Sequence, residues 1–295
     1  MSAAVYKSAA AGAEVEAEHR RVLAQWPVPK TELLLETRCG RTFVLACGPE
    51  GAPPVVLLHG SQANSAAWLP EVVLWSQQFR LYAIDMIGEA GLSAPVRPPL
   101  AGEAHALWLD DVLAGLGLTQ AALVGTSLGG WLALDYASRR PAAVRALCLI
   151  CPAGIGRQKN FLLRALPLML LGSWGKRKVR ELVFGSAPEV PSPELEAIGP
   201  LMEHIGRTVR PRVVRIPQLS DAQLQALRVP VLAIVGGRDV LLDSAETRDR
   251  LLRHAPRAEV VFIADGRHFL PGQGPRIMAF LERTVQGAQG QIQTR

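Results

Sequence analysis

Residues 121–140 read A-A-L-V-G-T-S-L-G-G-W-L-A-L-D-Y-A-S-R-R, and this stretch decides the fold. Ala121 to Val124 form a short apolar run of strand length. Leu128, Trp131, Leu132, Leu134 and Ala137 then recur at helical spacing, and Pro141 stops the helix. Between the two lies Gly125-Thr126-Ser127-Leu128-Gly129, a G-x-S-x-G pattern. A strand that becomes a helix over so few residues must turn sharply. Its apex, Ser127, is expected in strained backbone geometry with its side chain pushed out above the sheet. Glycine on either side removes the Cβ atoms that would collide as strand and helix close up. Ser127 also stands at a helix start, where amides are unpaired and the dipole favours negative charge. The bare pattern arises by chance in glycine-rich chains, and an ordinary strand-to-helix turn is the plain alternative. The strand before and the helix after make Ser127 a candidate nucleophile.

Outward from this elbow the chain alternates between strand and helix. Before it come a helix over residues 9–25, strands over 31–37 and 41–46, and the buried strand Val55-Val56-Leu57-Leu58, which leads into His59-Gly60-Ser61. A helix over 66–78, a strand over 80–84 ending at Asp85, and a helix over 101–116 complete that half. After the elbow come a strand over 144–150, a strand over 231–235 ending in Gly236-Gly237-Arg238-Asp239, a helix over 244–254, a strand over 259–263 leading to His268, and a helix over 275–285. Residues from about 154 to 226 break the alternation with helical pieces separated by Gly and Pro. The expected architecture is therefore α/β: a mostly parallel central sheet with helices on both faces and a helical insertion. The expected divisions are an N-terminal helical extension (1–29), a core (30–153 and 227–286), a helical cap (154–226) and a disordered tail (287–295). In parallel sheets the chemistry gathers at the carboxyl ends of the strands. Ser127, Asp239 and His268 fall at such ends, as do His59-Gly60-Ser61 and Asp85.

Composition narrows the class. The chain has 295 residues, 49% hydrophobic and 20% charged, enough for one large domain with an insertion. The N-terminus lacks the apolar core of a secretory signal, and no apolar run reaches about 18 residues. A soluble cytoplasmic protein is expected. Cys148 and Cys151 form a C-x-x-C, but on a buried strand positions three apart face opposite sides, so free buried cysteines are expected rather than a metal or redox pair. Residues 155–217 carry eleven basic against five acidic side chains, which accounts for the whole net charge of +6. A solvated basic face explains this simply. An anionic substrate, an acidic carrier protein or a membrane surface is the sharper explanation. No nucleic-acid motif accompanies the charge, so nucleic acid is not expected as a partner.

Residues 30–285 resemble an α/β-hydrolase-fold serine hydrolase with a cap. The resemblance rests on the elbow, on G-G-R-D at Asp239, on D-G-R-H-F at His268, on the His-Gly pair at 59–60, and on the segment from Asp85 to Ser93, similar to D-x-x-G-x-G-x-S with one extra residue. It implies a triad of Ser127, Asp239 and His268. It also implies an oxyanion hole from the backbone N–H groups of Ser61 and Leu128. Small-molecule acyl substrates follow from it, with no metal or organic cofactor. Carboxylic ester hydrolysis is the leading activity. Thioester or carrier-bound acyl hydrolysis, C–C bond hydrolysis on the same triad, and a non-enzymatic binding module are the alternatives. His59 is expected to be structural, Asp85 to brace its loop, Asp243 to start a helix, Asp265 to shape a turn, and His105 and His254 to lie on helix surfaces. Arg267 stands where the family usually has glycine, and Ile87 and Glu89 replace the usual Pro and His or Arg. The leucines and Met169 of residues 162–171 line an acyl pocket or pack the cap on the sheet.

Overall fold

The computed structural model describes residues 5–185, 192–212 and 214–286, apart from the side chains of residues 162–164. The first helix, α1 (Ala9–Ala24), is followed by β1 (Lys30–Leu35), β2 (Thr42–Cys47) and β3 (Pro54–Leu58). A 3-10 turn (Ser65–Trp68) runs into α2 (Leu69–Trp75), then β4 (Arg80–Ile84), α3 (Ala104–Gly115), β5 (Ala121–Thr126), α4 (Leu128–Arg139) and β6 (Val144–Ile150). Four helices intervene before the next strand: α5 (Phe161–Met169), α6 (Gly172–Phe184), α7 (Pro193–Thr208) and α8 (Asp221–Gln225). The chain closes with β7 (Val231–Gly236), α9 (Ser244–His254), β8 (Ala258–Ile263) and α10 (Gly274–Leu281).

The strands form one eight-stranded sheet in the order β1-β2-β4-β3-β5-β6-β7-β8. β2 pairs antiparallel with both β1 and β4, and every other pair is parallel. From β3 the chain steps outward to β4 on one side, then to β5 on the other. The strand order therefore reverses between β3 and β5, the place in such sheets where connections diverge to opposite faces at the carboxyl ends. The loop after β3 and the elbow after β5 meet there.

Alternation along each strand sends side chains to two separate cores. Val55 and Leu57 join one with α1, α2, α7 and α10, whereas Val56 and Leu58 join the other with α3, α4 and α9. Burial on both faces is why these strands read as continuous apolar runs. The alternation argument fails for the two cysteines. β6 ends at Ile150, and Cys151 lies beyond it with φ of 41°, so Cys148 and Cys151 pack into the same core. Both are free thiols.

The N-terminal segment is fastened to the core and to α7. Tyr6 forms a bridge with Val209, and its hydroxyl accepts from the Gly91 amide at 3.1 Å. His204 on α7 lies 3.4 Å from Glu14 and 3.1 Å from Glu18 of α1. No helix among the described residues is long and apolar enough to cross a membrane. Residues 287–295, expected as a tail, lie outside the described residues.

Candidate active site

Ser127 has φ of 53° and ψ of −110°, a conformation a side chain rarely adopts. Three backbone hydrogen bonds hold it there: its amide donates to Ile150 O (2.9 Å), and its carbonyl accepts from Trp131 (3.0 Å) and Ala153 (3.1 Å). The flanking glycines are required by contact. A Cβ at Gly125 would lie 2.4 Å from Gly129 O, and one at Gly129 would lie 2.1 Å from Leu58 O. The elbow is thus pressed against the end of β3.

His268 follows β8, and its amide donates to Val183 O of α6 at 3.1 Å. Its Nε2 lies 3.0 Å from Ser127 Oγ, and its Nδ1 lies 2.7 Å from Asp239 Oδ2. Asp239, just past β7, is 1% exposed. Its other oxygen accepts the amides of Leu241 (2.7 Å) and Leu242 (3.1 Å). A carboxylate so placed only accepts, so Nδ1 carries the proton and the Nε2 lone pair faces the serine hydroxyl. Ser127 Oγ, the His268 ring and the Asp239 carboxylate are thereby joined in one line of hydrogen bonds.

The loop after β3 approaches this hydroxyl: a Cβ built on Gly60 would lie 3.6 Å from Ser127 Cβ. The Gln62 amide is already committed, donating to Glu89 Oε2 at 2.9 Å. The amides of Ser61 and Leu128 donate to no other group among the described residues. Glu89 is fully buried and pairs with Arg212, which follows α7, at 3.0 Å. Glu89 was legible only as a departure from a loop pattern, and its partner lies 123 residues away. Arg267, another departure, reaches the segment between β6 and β7: its Nη1 donates to Leu182 O at 3.0 Å.

The remaining candidates stand apart from the hydroxyl. His59 is fully buried; its Nε2 accepts the Met86 amide at 2.9 Å and its Nδ1 lies 2.7 Å from Gly60 O. Asp85 accepts the amides of Ser65 (2.8 Å) and Leu92 (2.7 Å), bracing its loop. Asp243 caps α9 by accepting from Glu246 N. Asp265 is exposed and pairs with Arg238 at 2.6 Å. His254 ends α9 beside Asp221 and Gln225. His105 is not a surface residue. It is 5% exposed, packs edge-on against Trp131, and burial pushes its pKa down to about 4. The helical period of α3 carries it inward because Trp131 offers a second wall there.

Cys151 Sγ, a carboxylate oxygen of Asp239 and a ring nitrogen of His268 lie within 4.8 Å of one another. Burial, then the Asp239 charge, push this thiol up to about 12, so it stays protonated. Asp239 and His268 already bond to each other, and a cation held among these donors would break that pair. The apolar residues expected as a pocket lining behave differently. Leu166, Met169, Leu170 and Leu171 are more than half exposed, and Leu162 and Leu163 lie outside the described side chains.

The profile of the alpha/beta hydrolase family matches residues 55–279, about three quarters of the sequence. The chain belongs to the alpha/beta hydrolase family. This alpha/beta hydrolase is 29% identical over 266 residues to the carboxylesterase nap of Bacillus subtilis (strain 168), covering 88% of this chain and 89% of that protein. It is 29% identical over 268 residues to carboxylesterase YbfK of the same organism, covering 88% and 90%. The crystal structure of naproxen esterase from Bacillus subtilis superposes with a TM-score of 0.79 at 27% identity, over 93% of this chain and 99% of that one.

Proposed function

We propose that this alpha/beta hydrolase cleaves carboxylic esters through an acyl-serine intermediate. The observation that carries the proposal is the pair of hydrogen bonds at His268, whose Nε2 accepts from Ser127 Oγ at 3.0 Å and whose Nδ1 donates to Asp239 Oδ2 at 2.7 Å. A serine hydroxyl is a weak nucleophile until a base removes its proton. His268 Nε2 takes that proton as Oγ attacks the acyl carbon. The imidazolium that forms is stabilised by Asp239, whose second oxygen is fixed by two amides. The carbonyl oxygen becomes an oxyanion, received by the Leu128 amide at the positive end of α4 and by the Ser61 amide. Collapse of that intermediate expels the alcohol, which leaves with the proton from His268. Water then enters, His268 removes its proton, and the acid is released as Ser127 is restored. The side chains named and water complete the cycle.

The family and the esterase names of the relatives support the ester class. The segment from α5 to α8, between β6 and β7, serves as the cap over this site. The test is hydrolysis of a p-nitrophenyl ester series by Ser127→Ala beside the parent. Loss of the hydroxyl lowers kcat by about 10⁴-fold or more. Equal rates in the two proteins would remove the proposal.

A further inference from the structure

We propose that the α5–α6 hairpin is a docking surface for an anionic lipid bilayer. Single exposed apolar side chains are ordinary on protein surfaces, but a contiguous cluster is not. At this hairpin Leu170 is 82% exposed, Leu166 60%, Leu171 56%, Met169 52%, Phe184 52% and Trp174 46%. Leu170 and Leu171 form the turn between the helices, so the most exposed side chain stands at the tip. The helices can close so tightly because of Gly175, where a Cβ would fall on Leu168 O.

The helical period orders α6 further. Gly175 and Val183 face inward and are buried. Trp174, Arg177, Arg180 and Phe184 follow at spacings of three, three and four, and so share the outward strip. Residues 161–184 carry five basic side chains against one acidic, Glu181. Glu181 is held by Lys178 at 2.6 Å, with Arg177 at 3.8 Å. Lys176 and Arg180 are exposed and have no ion-pair partner among the described residues. An apolar tip flanked by cations with an outward tryptophan matches the interfacial region of a bilayer. The apolar groups enter the acyl boundary, the cations meet anionic headgroups, and the aromatic ring sits between. An acidic carrier protein would satisfy the cations and leave the tip in water, and so accounts for half the arrangement. The same helix bears on the site at its far end, where His268 N and Arg267 bond to Val183 O and Leu182 O, so docking along α6 would bring the bilayer to the side of the molecule that carries the histidine loop. Binding does not depend on acyl-serine chemistry; the consequence that lipid-borne esters are substrates does.

The experiment is vesicle co-sedimentation of the full chain, with tryptophan emission as a second readout. Trp174 is the one exposed tryptophan of the six, the other five being at most 8% exposed, so a blue shift reports this surface. The probes are phosphatidylcholine vesicles with and without about one-third phosphatidylglycerol. The parent and Ser127→Ala are expected to bind anionic vesicles equally, with a blue shift, and to release in high salt. Each cation near such a surface is worth about fivefold, so K176Q/R177Q/R180Q should lower partitioning by on the order of a hundredfold. Leu170→Glu should lower it at least about tenfold while hydrolysis of a short soluble ester stays within about twofold. Equal binding to neutral vesicles, or no effect of either variant, overturns the proposal. So does a dimer that Leu170→Glu dissolves without any vesicle binding, or saturable capture by an acidic carrier with none.

Discussion

Glu89→Gln probes the least expected feature of the site. Glu89 is fully buried, with one oxygen on the Gln62 amide (2.9 Å) and the other on Arg212 Nε (3.0 Å). Glutamine has the same shape and keeps an acceptor for the amide. It withdraws the charge from Arg212, whose side chain is 6% exposed and whose Nη2 has no hydrogen-bond partner. Arg97 is close enough to feel both: burial holds its pKa below the ordinary value, with Glu89 raising it and Arg212 lowering it. Without the carboxylate, the buried Arg212 guanidinium loses its ion partner while the like charge of Arg97 still acts on it. Leaving a buried charge uncompensated costs about 3–5 kcal/mol. Urea unfolding should therefore show a loss of about 3 kcal/mol. The bond to Gln62 also falls from charge-assisted to neutral, loosening the loop that carries the Ser61 amide. A whole oxyanion donor is worth about 10²–10³ in kcat, so a misplaced one should cost about tenfold, with KM little changed. Replacing both partners, E89Q/R212M, should recover most of the stability but not kcat. If Glu89→Gln unfolds within about 1 kcal/mol of the parent and keeps its kcat, the buried pair is not the brace argued here.

Three further outcomes follow from the same geometry. Gly129→Ala drives a Cβ to 2.1 Å from Leu58 O and 2.5 Å from His59 O, so it should cost at least about 3 kcal/mol. By contrast Gly199→Ala, inside α7 with nothing within 4 Å, should gain about 0.5–1 kcal/mol in the same denaturant titration. His105 has its pKa lowered from 6.5 to about 4, so the unfolded chain binds a proton that the folded one refuses. Its contribution is full above pH 6.5 and is lost as pH falls toward 4, by up to about 3 kcal/mol, and unfolding of His105→Gln measured across that window should show a flatter acid limb. Asp239→Asn should lower ester kcat by about 10⁴ through loss of the imidazole tautomer, whereas Asp243→Asn, which keeps a capping oxygen, should leave kcat unchanged and cost at most about 0.5 kcal/mol from the lost charge at the helix start. The reverse ranking would move the acid role to Asp243.

Much of the fold was legible because local rules and global architecture agree. The strands buried on both faces announced themselves as apolar runs, and the β6 and α9 boundaries match the expected residues 144–150 and 244–254. The elbow was legible because strained backbone demands specific residues, and glycine is one the sequence displays openly. Side-chain placement across long separations was not. His105 looked like an exposed helical residue because nothing nearby in sequence reveals Trp131 packing on it. Cys151 escaped its strand's alternation because one residue adopts positive φ, a local event with no glycine to mark it. The leucines of α5 and the turn after it read as interior by composition, yet Leu170 is the most exposed large apolar residue described. Hydrophobicity says that a side chain gains by leaving water; it does not say which surface will receive it.

Two of the three departures from the family pattern, Glu89 and Arg267, make physical sense together. Glu89 fastens the loop carrying the Ser61 amide to Arg212, and Arg267 fastens the loop carrying His268 to the carbonyl of Leu182. Each supporting loop is thereby tied to the chain between β6 and β7, one at α6 and the other just after α7. The His268 amide adds a third tie, to Val183 O. Displacing α6 would strip hydrogen bonds from the histidine loop itself. Small shifts of α6 would be felt as shifts of the imidazole. Alignment of a hydroxyl, a base and an oxyanion donor is sensitive to displacements of about 1 Å. The Val183 end of α6 and the imidazole that faces the elbow hydroxyl are therefore linked through the histidine's own backbone.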